Sequence, residues 1–501
     1  ANGRGSELSE NQGDPRHLET LDRDLARFSN LEAATSMVGR PMVGLGVSLV
    51  FVVLAGLAAM LFLGQTNNTF IVVIAACLGA YMALNIGAND VANNMGPAVG
   101  ANALTMGGAI AIAVIFESAG ALIAGGDVVS TIAKGIIEPE RMGTANVFVW
   151  AMMSALLSAA LWVNLATWVG APVSTTHSVV GGVMGAGIAA AGFSAVSWGT
   201  MSGIAASWVI SPVLGGAIAA FFLFVIKSRI IYQEDKIAAA RKWVPILVGI
   251  MAGAFGAYLA LKGLKKIIKI DMPTALLIGL AIAILVWLTM IPVIRRQSQG
   301  LENRNKSLKV LFGIPLVVSA ALLSFAHGAN DVANAVGPLA AIVQVSQSGD
   351  FTHAVSIPFW VMVIGAFGIS FGLFLFGPKL IRMVGGQITK LNPMRAYCVA
   401  LSAAITVIVA SWLGLPVSST HIAVGAVFGV GFFREWDAER RIRKARMAMP
   451  DRQQYAPEER SRRKLVRRSH FMTIIAAWII TVPAAALLSG AIFFVINIFM
   501  A

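Results

Sequence analysis

The sequence predicts an all-α polytopic membrane protein made of inverted-topology repeats with broken helices. Three observations predict it. Hydrophobic residues make up 57% of the 501 residues and charged residues only 12%, against about 25% charged in a soluble domain. Uncharged apolar runs of roughly 20 residues, the length that crosses a bilayer as a helix, recur along the chain. Two polar motifs inside this apolar sequence each occur twice, in the same order. A transmembrane β-barrel is a poor alternative, because its strands alternate over about 10 residues and give no such runs. Fifty glycines suit close helix packing in lipid.

The first 40 residues are polar and lack the short apolar core of a signal peptide. They read as a cytoplasmic tail, in which Asp14-Pro15 is able to cap a short surface helix bearing Leu18, Leu21, Leu25 and Phe28 on one face. An extra N-terminal transmembrane helix follows within 41–66. A first transport repeat covers 67–226, connecting spans and basic loops 227–306, and a second transport repeat 307–434. A basic cytoplasmic loop, 435–470, precedes a final transmembrane helix in 471–501. The candidate spans are 42–64, 69–103, 107–125, 145–169, 172–192, 200–226, 243–262, 273–294, 307–345, 357–377, 395–413, 416–434 and 471–498. Two of them, 69–103 and 307–345, are too long for one crossing and read as broken helices.

Lys/Arg-rich loops set direction. The segments 227–242, 295–309, 378–395 and 434–470 are assigned to the cytoplasm, the last with 13 Lys/Arg against 6 Asp/Glu. Such a basic run in a membrane protein marks topology and contact with anionic lipid rather than nucleic acid. Thirteen crossings then place the N-terminus inside and the C-terminus outside, provided that each Pro-Val-Ser segment changes the side of the chain. The loop 262–271, with Lys262, Lys265, Lys266 and Lys269, falls outside and breaks the rule. Seven crossings separate the starts of the two long spans. Seven is odd, so the halves run in opposite directions, the arrangement of many secondary transporters. Cys77 and Cys398 lie in apolar segments and read as free thiols.

The first repeated motif is Gly87-Ala88-Asn89-Asp90-Val91-Ala92-Asn93, which returns as Gly328-Ala329-Asn330-Asp331-Val332-Ala333-Asn334, 241 residues on. Glycine, with Gly96-Pro97 and Gly337-Pro338 behind it, is expected to interrupt the helix. Unwound backbone in a membrane must line a cavity or be buried in protein. Its carbonyls, with the oxygens of Asn89, Asp90, Asn93, Asn330, Asp331 and Asn334, suit a small cation such as Na⁺. If helix continues instead, Asp90 and Asn93 share a face. The second motif, Pro172-Val173-Ser174-Thr175-Thr176-His177, returns as Pro416-Val417-Ser418-Ser419-Thr420-His421, 244 residues on. Proline starts helices and Ser/Thr caps them. A helix start within the membrane aims N–H groups and hydroxyls at a cavity, which makes an anion site without Arg or Lys. His177 and His421 are either packed hydrogen-bond partners or proton or ion contacts.

Carboxylates beside an anion site repel the anion unless a cation intervenes or the anion carries protons. Phosphate near neutral pH carries them and can donate to Asp; sulfate cannot. The chain at this point resembles the inorganic phosphate transporter (PiT) family. The doubled motifs carry the resemblance, together with Phe116-Glu117-Ser118-Ala119-Gly120 and Thr131-Ile132-Ala133-Lys134-Gly135-Ile136. It covers about residues 69–498. It implies two helical hairpins bearing the Ser/Thr motifs, twelve family spans plus one extra N-terminal span, and a homodimer. It implies phosphate contacts from Asp90, Ser174, Thr175, Thr176, Asp331, Ser418, Ser419 and Thr420. It also implies cation contacts, with Na⁺ at Asn89, Asn93, Asn330 and Asn334. Glu117 matches a glutamate linked to transport and has no partner in the second half. It is a coupling site, a structural partner for polar backbone, or interfacial.

The expected activity is secondary active import of inorganic phosphate by alternating access, with Na⁺ favoured over H⁺ as the coupling ion. No resident cofactor is expected, the co-transported ion aside, and the bacterial inner membrane is the expected location. A sulfate permease and an uncoupled anion channel are the alternatives. An enzyme is not expected: Ser174 near His177 suggests a nucleophile pair, but chemistry rarely needs two opposed copies.

Overall fold

The computed structural model describes residues 43–63, 69–169, 173–263, 270–349, 357–387, 391–448 and 468–500. Helices account for nearly all of them, and the sole β feature among the described residues is an isolated bridge between Ile137 and Val196. The expected tail at 1–40, most of the basic 262–271 loop and residues 449–467 lie outside the described residues.

Every expected span has its helix. α1 is Val43–Leu63, α2 Thr69–Gly100 and α3 Met106–Ala124. The short α4, Gly126–Ser130, runs into a π turn at Thr131–Gly135. Then come α5 Ala145–Val169, α6 Thr175–Ala191, α7 Trp198–Ile226, α8 Lys236–Lys262 and α9 Met272–Gln297. A short α10, Asn305–Leu311, leads into α11, Gly313–Ser348. The chain closes with α12 Phe359–Gln387, α13 Pro393–Trp412, α14 Ser419–Ala448 and α15 Arg468–Met500. Eleven helices among the described residues are long and apolar enough to span a membrane. The remaining two expected spans are α6, which has only 17 residues, and α14, whose second half is rich in charge. Both thiols are free, as expected.

One expectation is corrected. α2 and α11 are not broken: each runs as one α-helix of 32 and 36 residues through its Asn-Asp motif, with Pro97 and Pro338 inside. The motif glycines serve close packing instead of unwinding. A Cβ on Gly87 would collide with the Ile369 carbonyl of α12, and one on Gly328 with the Glu117 carbonyl of α3. Gly372 meets the Leu84 carbonyl, and Gly120 the Phe325 carbonyl, in the same manner. α2 therefore lies against α12, and α3 against α11, at backbone distance. Small residues permit such an approach in lipid, where packing itself drives association.

The second half reuses the first half's contacts. Gly181 and Gly185 of α6 abut the Val482 and Ala486 carbonyls of α15, while Gly425 and Gly429 of α14 abut those of Pro212 and Gly216 of α7. α15 thus plays towards α6 the part that α7 plays towards α14. Ser118 and Ser370 sit at equivalent places on α3 and α12, and their hydroxyls meet at 2.7 Å. The imidazoles of His177 and His421 meet edge to face at 4.4 Å between centroids.

Candidate transport site

Two carboxylates and two hairpin tips make the site. α5 and α6 pack together as a hairpin, as do α13 and α14. Ser174 holds extended backbone angles and caps α6, its Oγ accepting from the His177 N–H at 3.1 Å. Ser418 does the same for α14, accepting from the His421 N–H at 3.3 Å. This is the expected N-cap chemistry. The cap fixes the next two residues at the helix start, and their hydroxyls point at α2 and α11. Val173 and Val417 behind the caps are buried, so each tip is embedded in protein.

The hydroxyls meet the carboxylates in a repeated pattern. Thr175 donates to Asp90 Oδ2 at 2.9 Å, and Thr420, from the other hairpin, to Asp90 Oδ1 at 3.0 Å. Thr176 donates to Asp331 Oδ1 at 3.2 Å, and Ser419 supplies a further hydroxyl there. Asn93 Nδ2 donates to the Thr420 hydroxyl at 2.8 Å; Asn334 Nδ2 donates to that of Thr176 at 3.2 Å and to Asp331 at 3.0 Å. Each carboxylate is thus held by hydroxyls of both hairpins. The 3.6-residue period puts Asp331 and Asn334 on one face, three residues apart.

Asn89 and Asn330 do a different job. Asn89 Nδ2 donates to Thr167 near the end of α5, and Asn330 Nδ2 to Ser411 near the end of α13. Asn330 also donates to the Leu415 carbonyl and accepts from the Val417 N–H. These two amides tie the long helices to the hairpin arms, while Asn93 and Asn334 reach the hydroxyl–carboxylate centre. His177 and His421 stand behind the tips, packed against each other, with the Trp208 ring 3.8 Å from that of His177.

Sequence reasoning missed two members. His327, one residue before the second copy of the first motif, is fully buried among three carboxylates. Its Nε2 lies 3.1 Å from Asp331 and 3.8 Å from Asp90, and its Nδ1 lies 3.3 Å from Glu117. Asn94 donates to Glu117 Oε1 at 2.9 Å. A signal existed: an ionisable side chain inside an apolar span is a site candidate by default, yet His327 falls just outside the repeated words. Glu117 is therefore neither interfacial nor isolated. Among the described residues no three His, Cys, Asp or Glu side chains are arranged to hold a metal ion. A cation here would rely on amide and hydroxyl oxygens beside a carboxylate, the donor set of hard ions.

A polytopic helical bundle that buries carboxylates and capped helix starts together has the architecture of a membrane transporter. Likeness to known proteins specifies which kind. Residues 86–489 match the model of the phosphate transporter family. The chain is 45% identical over 525 aligned positions to the "Putative phosphate permease" of Helicobacter pylori (strain J99), covering 94% of this chain and 98% of that protein. It is 36% identical to "Inorganic phosphate transporter 2-1, chloroplastic" of Arabidopsis thaliana, over 82% of this chain and 70% of that one. A solved structure titled "The sodium-dependent phosphate transporter" superposes with a TM-score of 0.77 at 35% identity, covering 86% of this chain and 100% of the other. The chain belongs to the phosphate transporter family, and phosphate is its transported substrate.

Proposed function

We propose that the chain is a cation-coupled phosphate symporter in which Asp90, Asp331 and the hydroxyls of Thr175, Thr176, Ser419 and Thr420 form one phosphate site between two inverted repeats. The carrying observation is that Asp90 accepts hydroxyls of both hairpins, from Thr175 and Thr420, while Thr176 crosses from the first hairpin to Asp331. A protonated phosphate is able to donate to the two aspartates, while the threonine and serine hydroxyls turn their protons to its other oxygens. The helix starts capped by Ser174 and Ser418 add N–H dipoles without any fixed positive charge.

The glycine contacts that recur with the halves exchanged support inverted repeats. Alternating access follows from such a pair when the halves swap conformations about a fixed site. Na⁺ is favoured over H⁺ because Asn93 and Asn334 bring amide groups beside the carboxylates, with Asn89 and Asn330 one turn away. The basic loops favour a cytoplasmic N-terminus and an external C-terminus in a bacterial inner membrane. A homodimer and contacts to anionic lipid belong to the same proposal.

The test is labelled phosphate uptake into liposomes, first under a Na⁺ gradient and then under a pH gradient, each with excess sulfate as competitor. Uptake driven by Na⁺ and indifferent to sulfate is expected. Uptake driven only by the pH gradient would replace Na⁺ with H⁺, and equal uptake without any gradient would replace the symporter with a channel.

A further inference from the structure

The hairpin tips have a back as well as a front. Behind them opens an apolar cleft of 1110 Å³, walled by α7 and α14 on one side and by Ile479, Val482 and Pro483 of α15 on the other. Its floor is the His177–His421 pair and the Trp208 ring, 3.8 Å from that of His177. Trp208 also holds a tip directly: its indole N–H donates to the Pro416 carbonyl at 3.1 Å. α7 and α14 meet at backbone distance, since a Cβ on Gly429 would collide with the Gly216 carbonyl. Gly216, Ala217, Gly425 and Gly429 leave that wall hollow. The cleft exceeds the usual size of small-molecule pockets, about 300–1,000 Å³.

One wall carries a stripe that its repeat lacks. Val424, Phe428, Phe432 and Trp436 recur every four residues along α14 and line the cleft, the spacing of one helix face. At the 244-residue offset, Phe428, Phe432 and Trp436 answer to Met184, Ile188 and Gly192, and α6 ends at Ala191. The hairpin fold therefore does not require the aromatic stripe. The stripe runs on into charge: Arg440, one further turn along, holds its guanidinium 5.2 Å from the Trp436 ring centre. Past the cleft, the end of α7 and the second half of α14 carry Lys227, Arg229, Arg434, Arg440, Arg441 and Arg443 against Glu435, Asp437 and Glu439. Lys227 already occupies Asp437.

We propose that this cleft binds one phospholipid with an anionic headgroup, an acyl chain reaching the His177–His421 floor and the headgroup held at Arg440. The dimensions match. Trp436 follows His421 by fifteen residues on one helix, roughly 22 Å of axis, and one leaflet with its headgroups is about 20–22 Å thick. The chemistry matches too: apolar lining, then an aromatic ring, then arginines is the order in which a lipid presents tail, interface and phosphate. Charge decides against a second copy of the chain, because a two-fold contact here would set two equally basic rims together. Diffuse contact between basic loops and anionic lipid thus becomes a single site, and its existence does not depend on which ion drives transport. An acyl chain lodged there packs against the back of both tips, whose fronts carry Thr175, Thr176, Ser419 and Thr420.

Native mass spectrometry of the purified full chain, titrated with dioleoylphosphatidylglycerol or with dioleoylphosphatidylcholine, tests the site. One phosphatidylglycerol should bind at least about tenfold more tightly than phosphatidylcholine. Ala217→Trp, which fills the hollow from an exposed position, and Arg440→Gln, which removes the charge at the rim, should each weaken phosphatidylglycerol at least about tenfold. Arg440 is exposed, so its variant keeps the test open where Ala217→Trp fails to fold. Leu280→Trp on α9, an exposed apolar position outside the cleft, should leave binding unchanged. Hydrogen exchange across 421–436 should slow when phosphatidylglycerol is added to the wild type. Equal affinity for the two lipids, tight binding that survives both cleft variants, or no slowing of exchange overturns the site. So does a dimer that forms without added lipid and that Ala217→Trp separates into monomers, which would give the cleft to a second copy.

Discussion

Thr176 donates its hydroxyl proton to Asp331 across 3.2 Å, although 155 residues separate them in the chain. Thr420 returns the arrangement from the other hairpin, donating to Asp90 at 3.0 Å. Hydrogen bonds to an ionised acceptor are about twice as strong as neutral ones. The same contacts therefore join one half of the molecule to the other at the proposed phosphate site.

Thr176→Val and Thr420→Val should weaken phosphate binding alike. Each removes one bond to a charged group, worth about 1.5–3 kcal/mol, or roughly 10- to 100-fold in affinity. Equilibrium binding of labelled phosphate checks this. Unchanged affinity in both variants would take the crossed hydroxyls out of the site.

Asp90→Asn and Asp331→Asn keep shape and lose the charge. Uptake in liposomes should fall to background, while size exclusion and thermal unfolding still report a folded protein. Full uptake by both variants would sink the two-carboxylate mechanism.

Gly87→Ala and Gly328→Ala test the backbone contacts of α2 with α12 and of α3 with α11. The added Cβ meets a carbonyl that belongs to a neighbouring helix and has no side-chain freedom. Overpacking of this kind costs about 1–3 kcal/mol or more. Gly107→Ala, where nothing lies within 4 Å, is the control. The two motif variants should melt well below it, and equal midpoints would contradict the packing.

At the charged end of the bundle, Lys227 binds Asp437 at 2.7 Å and the Tyr232 hydroxyl donates to the same carboxylate, tying the end of α7 to α14. Burial alone would raise the Asp437 carboxyl, but the Lys227 and Tyr232 bonds outweigh it and hold it below its usual range. Burial, then the Asp437 bond, push the Tyr232 phenol up. A depressed carboxyl contributes stability above its unfolded value of about 3.9, lost as pH falls through the folded value. A raised phenol contributes below its unfolded value of about 10, lost as pH rises through the folded value. The tie should therefore be flat across neutral pH and weaken at both extremes. Hydrogen exchange of α14 amides near Asp437 measures it, and a change between pH 6 and 8 would refute the assignment.

Much of this molecule is legible in its sequence. All thirteen expected spans correspond to helices, because a bilayer demands runs of apolar residues and internal hydrogen bonding. Thr175, Thr176, Asp331 and their counterparts stand out because a polar word inside apolar sequence is costly, and a costly word kept in both halves has work to do in both. The unbroken course of α2 and α11 was not legible: a glycine that interrupts a helix and a glycine that admits a neighbouring backbone look alike in one dimension. Asn89 and Asn93 were likewise indistinguishable, though one binds a hairpin arm and the other reaches the centre.

By itself the sequence determined the helical membrane class, the duplicated halves, the capped hairpin tips and the family to which they belong, since composition, spacing and local capping are properties of neighbouring residues. Only the tertiary structure decided that Thr420 serves Asp90 and Thr176 serves Asp331. It alone decided that His327 lies among three carboxylates, and that Asn94 and Glu117 face each other. The bond from Asn94 to Glu117 spans 23 positions of the chain, and that from Thr420 to Asp90 spans 330. Such partners are chosen by how the helices pack, and packing is set by which backbones come close at Gly87, Gly120, Gly328 and Gly372.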